Sequence, residues 1–163
     1  MDSKSVILAL FSALLLLLAG WFSYRYFKSQ AGPSELAFFY DVSEKKLFTA
    51  DRKQAPPIVG INDKQMDAYR AVVISTNGNV QDKASWKISY LEMYSPELKK
   101  QIETAQSGGP PPAMERSSAQ GHRFVRRLTD TRWYPMDSAE AERIVNEWLT
   151  SGSGGSPAAV CTP

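Results

Sequence analysis

Cysteine and histidine are almost missing from this chain: Cys161 and His122 are the only copies in 163 residues. A single cysteine excludes an internal disulfide, and with it any fold held by a disulfide framework. Two Cys/His residues fall short of the four ligands that a structural zinc site takes. One histidine leaves a histidine-dependent triad with a single candidate base, beside Gly121. A phosphate-cradling glycine loop is also missing. Gly152-Ser153-Gly154-Gly155 follows a helical pattern instead of opening one. The pairs Asp41/Asp51 and Glu92/Glu97 are ordinary turn and surface positions, and no spacing forces either into acid–base or cation-binding work. The chain is therefore not expected to be an enzyme or to carry a cofactor or metal. A formal net charge of +2 gives no sign imbalance, and a nucleic-acid partner is not expected.

Charge is also absent from Val6 to Tyr24, nineteen residues that include five consecutive leucines, Leu14 to Leu18. As a helix this run spans roughly 28 Å, close to the hydrocarbon thickness of a bilayer. Its aliphatic and aromatic side chains favour insertion by about 3–6 kcal/mol in sum. Trp21, Tyr24 and Tyr26 stand where an interfacial belt belongs, with Arg25 and Lys28 just beyond. A cleaved signal peptide has a shorter apolar core ending at a small-residue site, and a lipoprotein needs a cysteine there. The sequence thus predicts an uncleaved anchor at 1–28, crossing the bilayer through residues 6–27 of the cytoplasmic (inner) membrane. Basic residues are nearly balanced across the run, so the side of the globular domain stays open.

After an exit linker at 29–35, residues 36–150 are long enough for one domain with a real core. LAFFYD at 36–41 and KLFTA at 46–50 read as a hairpin. Pro56-Pro57 blocks regular pairing, and 62–69 reads as a short helical turn. AVVIST at 71–76 is a β-branched central strand. WKISYLEM at 86–93 is another strand, with Trp86, Ile88 and Tyr90 alternating onto one face. Ser95-Pro96-Glu97 starts a helix that Gly108-Gly109 ends. Residues 107–121, with three prolines, read as a flexible surface loop. Residues 123–128 and 132–136 look extended. Asp137 with Glu140 resembles a capping box. Ala141, Ile144, Val145, Trp148 and Leu149 then mark one helix face. The Gly/Ser/Pro-rich tail at 151–163 reads as disordered. The fold class is α+β: an N-terminal transmembrane helix, then a small, mainly antiparallel sheet of four to six strands packed by two helices on one face.

The strongest polar cluster is arginine: Arg116, Arg123, Arg126, Arg127 and Arg132 against Glu115 and Asp130. Arg123, Arg126, Arg127 and Arg132 lie near Phe124, Trp133 and Tyr134, a setting that can hold anions, lipid headgroups or an acidic partner. A competing sink lies within the chain. The next helix carries Glu140, Glu142 and Glu147. Strand alternation also puts Arg126 on the face opposite Arg123 and Arg127, so they form no single stripe.

FFYDVSEKKLFTA at 38–50 with PPI at 56–58, RAVVIS at 70–75, YLEMYSPELKKQIE at 90–103 and VRRLTDTRWYPMDS at 125–138 together resemble uncharacterised single-pass membrane proteins of the planctomycete–verrucomicrobial bacterial type. The resemblance implies a bacterial, membrane-anchored chain and carries no activity or catalytic residue. The expected function is a non-enzymatic interaction domain with an unknown protein partner in a membrane or envelope assembly. Two alternatives stand beside it: an anion or headgroup binder using the arginines, and an enzyme with a carboxylate-based site.

Overall fold

The computed structural model describes residues 13, 15–25, 34–62, 64–153 and 155–163. The chain divides into two units, 1–34 and 35–163. In the first, residues 15–25 are helical and exposed. The run Val6–Tyr24 falls partly outside the described residues. Among those described, no helix is long and apolar enough to cross a membrane. The anchor therefore rests on the sequence.

The second unit is α+β around one antiparallel sheet of seven strands, one more than the widest expectation. These are β1 (Leu36–Asp41), β2 (Lys46–Asp51), β3 (Ala68–Ser75), β4 (Trp86–Tyr94), β5 (Arg123–Arg126), β6 (Tyr134–Pro135) and β7 (Ala159–Val160). The spatial order is β2-β1-β3-β4-β5-β6, with β7 also on β3. The hairpin forms where its apolar, aromatic first strand and polar connector predict, with Phe39 opposite Phe48. Lys45 takes the left-handed conformation at its turn (φ 51°). The buried carboxylate of Asp41 ties that turn together and reaches across to Ile61.

Two expectations in the middle of the chain are corrected. None of the described residues in 62–69 is helical; Ala68 and Tyr69 already belong to β3. Ala68 can start the strand early because Ile58 bridges to it beyond the proline pair. In β4 the register shifts: Val72 faces Tyr90 while Val73 faces Ile88, leaving Ser89 as an extra residue. Such a bulge reverses the alternation downstream. Trp86 and Ile88 thus join one apolar cluster, and Tyr90 joins the other.

α1 (Pro96–Gln106) is capped by the Ser95 hydroxyl, which accepts from the Leu98 N–H, with Pro96 in the first turn. α2 (Ala139–Asn146) is shorter than expected and continues as a 3-10 turn, Glu147–Thr150. Its cap is Ser138, which accepts from the Ala141 N–H, and not Asp137. Glu140, the other half of the expected box, faces Arg127 and Arg143 instead. α2 sets Ala141 and Ile144 against Tyr90 and Val125. Burial pushes the Tyr90 hydroxyl up to about 12, with help from Glu92. α1 does not join that packing; its buried Leu98 belongs to neither cluster. Lys99 Nζ fastens it by donating to the carbonyls of Ala55 and Pro57 (2.7 and 2.8 Å).

The 107–121 segment makes few bonds until a 3-10 turn over Ser118–His122, which Ser95 N–H joins through the His122 carbonyl. The tail is the clearest correction. β7 pairs Val160 with Ile74 and Ala159 with Ser75, and the Cys161 N–H donates to the Val73 carbonyl at 2.8 Å. Ala158 and Cys161 are buried. Because β1 pairs with β3 only as far as Arg70, the far end of β3 has open bonding positions, and the tail takes them. Burial also raises the Cys161 thiol above its ordinary range. Maleimide should therefore modify Cys161 slowly in the folded chain and at once in denaturant; equally fast labelling of the folded chain would show the tail undocked.

Candidate functional site

The structure does not bring the four candidate arginines into one site. Arg127 is enclosed by carboxylates: Nε meets Glu147 at 2.6 Å, and Nη1 meets Glu140 at 3.2 Å and Asp130 at 3.4 Å. The bond it donates to Glu147 first, and then the one to Glu140, raise its already high pKa against the burial that opposes them. This is the internal sink that the acidic helix offered, with Asp130 in place of Glu142. Arg126 lies over the rings of Trp133 and Tyr69 (4.8 and 5.6 Å) and donates to the Asp130 carbonyl at 2.6 Å. Arg132 stacks on Tyr134 at 5.5 Å, and Arg123 is half-buried opposite Tyr94. Arg127→Glu would set a new anion against three others. We expect a stability loss of about 1–3 kcal/mol, larger at low salt, in urea melts at two ionic strengths.

No grouping of three or more His, Cys, Asp or Glu among the described residues is arranged to hold a metal ion. The Asp41/Asp51 pair is structural. Asp41 serves its turn, and Asp51 accepts from the Lys53 N–H. One pairing escaped the sequence reading. Ser95 Oγ lies 2.8 Å from His122 Nδ1, and the same nitrogen is 4.0 Å from Glu97 Oε2. A serine triad needs the acid and the hydroxyl on opposite ring nitrogens. Here both face Nδ1, and Ser95 Oγ already accepts from Leu98. The Glu97 carboxyl is held below its usual range by its own backbone N–H, then by the Ser95 hydroxyl. The arrangement closes a helix cap.

Two surface features remain. The first is a sheet face. Phe38, Ala71, Val73, Leu91 and Cys161 form a buried strip, flanked by half-buried Tyr40, Leu47, Tyr69, Trp86, Ile88 and Trp133. No member lies on either helix. Neighbours along a strand point to opposite faces, so Leu91 and Tyr90 separate this face from the one α2 covers. The second is a cavity of about 530 Å³ beside α1, lined by Pro57, Met66, Met93, Tyr94, Pro96 and Phe124, with Lys99, Lys100 and Glu103 also in its wall. No protein family, curated protein or solved structure matches the chain.

Proposed function

We propose that this chain is a membrane-anchored, non-enzymatic interaction domain that docks a protein partner on its helix-free sheet face. The carrying observation is that face: six large, mostly apolar side chains, each partly exposed, around a buried strip that has no member on either helix. Contiguous apolar surface of this kind marks interaction sites more often than chance exposure does. Trp86, Tyr69 and Trp133 supply the rigid aromatic area that dominates binding energy at interfaces. The charge-free run Val6–Tyr24 supports the inner-membrane anchor. Anion or headgroup binding through Arg123, Arg126, Arg127 and Arg132 is the weaker reading, because Arg127 and Arg126 already have partners within the domain.

A photo-crosslinking residue at Ile88 tests the reading, with one at exposed Glu142 on α2 as control. A discrete protein adduct from position 88, lost when Leu47→Glu is added to a chain that still melts cooperatively, is the expected result. Equal adducts from both positions, or none from 88, would discard the face. The side of the membrane is read from Cys161→Ser with Ser156→Cys, since Ser156 is exposed and Cys161 is not. Labelling of intact spheroplasts by an impermeant maleimide would place the domain outside the cytoplasm.

A further inference from the structure

We propose that the cavity beside α1 is a binding site for a free single-chain amphiphile with an anionic head, of the fatty-acid class. Its volume of about 530 Å³ lies within the range of small-molecule sites. The wall is built for an unbranched apolar chain. Met66 and Met93 are flexible and polarizable, while Pro57, Tyr94, Pro96 and Phe124 give stiff surfaces. The mouth is also apolar where solvent would favour polar groups. Met66 is 57% exposed, and Val59, on the same loop, is 47% exposed. That loop is held in place by the Ile58–Ala68 bridge and by the Ile61 N–H on buried Asp41, so its exposed apolar side chains sit at a fixed rim. A second hollow, of about 350 Å³, shares Met66, Lys99 and Glu103 with it and is lined also by Ile58, Val59, Gln54 and Gln106.

Charge decides the head. Lys99 is bonded to the carbonyls of Ala55 and Pro57 and to Glu103 at 2.8 Å. Its charge and that of Glu103 cancel. Lys100 is exposed at the wall and forms no ion pair among the described residues. The local balance is one positive charge beside an apolar channel, which suits a single anion on an apolar tail and disfavours a cationic one.

The test uses the full-length chain in nanodiscs of zwitterionic lipid, with 13C-labelled methionine methyls. Octanoate is the probe, and octanol and octylammonium are the comparators. Octanoate is expected to shift the Met66 and Met93 methyls saturably and leave Met136, on the α2 side, unmoved. Octylammonium should bind at least about fivefold more weakly, and Lys100→Glu should lower octanoate affinity about fivefold while leaving octanol unchanged. Met93→Trp, which fills the channel, should abolish all three. Shifts that grow linearly without saturating, or that include Met136 equally, would reduce the effect to lipid partitioning and overturn the site. Unchanged octanoate affinity in Lys100→Glu would overturn the placement of the head. Met93 shares the sheet face of Leu91 at its α1 end, but the crosslink is read at Ile88 and the amphiphile at the Met66 and Met93 methyls, so either test can fail while the other reading stands.

Discussion

Asp41→Asn is expected to destabilise the domain by about 2–4 kcal/mol at neutral pH, and the deficit should vanish in acid. The carboxylate is fully buried and takes three short bonds. The Ser43 hydroxyl and Glu44 N–H donate to Oδ1 at 2.9 Å each, and the Ile61 N–H donates to Oδ2 at 2.7 Å. Bonds to a charged acceptor contribute roughly 1.5–3 kcal/mol each, and an amide turns one acceptor into a donor facing a donor. The loss would also loosen the 58–62 loop, which the Ile61 bond ties to Asp41. The backbone N–H groups of Glu44 and Ile61 hold the Asp41 pKa below its ordinary value, and they outweigh the burial that opposes them. A depressed folded pKa means the contribution is complete above the unfolded value, near 3.9, and is lost as pH falls through the folded one. Glu44, in the turn itself, and Asp67, whose carboxylate accepts from the Ser43 N–H, are present in both proteins and cancel in the comparison. Urea melts of wild type and variant from pH 7 to pH 2 should therefore begin to converge below about pH 4 and draw closer as pH falls further. A difference that stays constant across that range would mean the bonds do not depend on the charge.

What was legible in the sequence is what local chemistry encodes. Ser95-Pro96 opens α1 and Gly108 follows it in a left-handed conformation, as the residue types alone require. The hairpin from Leu36 to Asp51 needed only an apolar, aromatic run, a polar connector and a return strand. The failures share one cause: partners distant in sequence. Ala159-Val160 are two unremarkable residues among Gly, Ser and Pro, and they become a strand only because Ile74 and Ser75 lack a partner on that side. The bulge at Ser89 is set by the pairing of β3 with β4, so periodicity along β4 alone misassigned Tyr90. At the candidate site, the acidic residues of the α2 region were visible as a sink for Arg127. The clamp on Arg126 was not, since Tyr69 was read as part of a helical turn. The cavity beside α1 draws its wall from β4, β5, α1 and two loops, and no single stretch announces it.

Ending the chain at Gly152 is expected to lower stability by about 3 kcal/mol, although the composition of the removed segment suggests a linker. The deletion takes away the β7 pairing, the Cys161 bond to the Val73 carbonyl and both Ser153 contacts to the Thr76 carbonyl. It also uncovers Val73, 1% exposed in the folded chain and packed in one cluster with Cys161. Full exposure of one such side chain costs about 1.5–3 kcal/mol and each lost backbone bond about 1 kcal/mol, while the freed residues regain conformational entropy. A second substitution separates docking from a general loss of chain. Gly78 has φ 77°, and a Cβ there would lie 2.9 Å from the Pro157 carbonyl oxygen. Gly78→Ala in the full-length chain should therefore incur the left-handed backbone penalty, about 1–2 kcal/mol, plus the displacement of the tail. In the shortened chain only the backbone penalty remains. The two changes should be less than additive, by about 1 kcal/mol or more in a double-mutant cycle read by urea melts. Strict additivity, or a shortened chain within about 0.5 kcal/mol of the full one, would mean the tail does not hold its place on β3. The helix-free face depends on the tail as well, because Cys161 is a member of the buried strip at its centre. A docked tail completes the floor on which Phe38, Val73 and Trp86 present that face, so losing it should weaken the Ile88 crosslink as well as the fold.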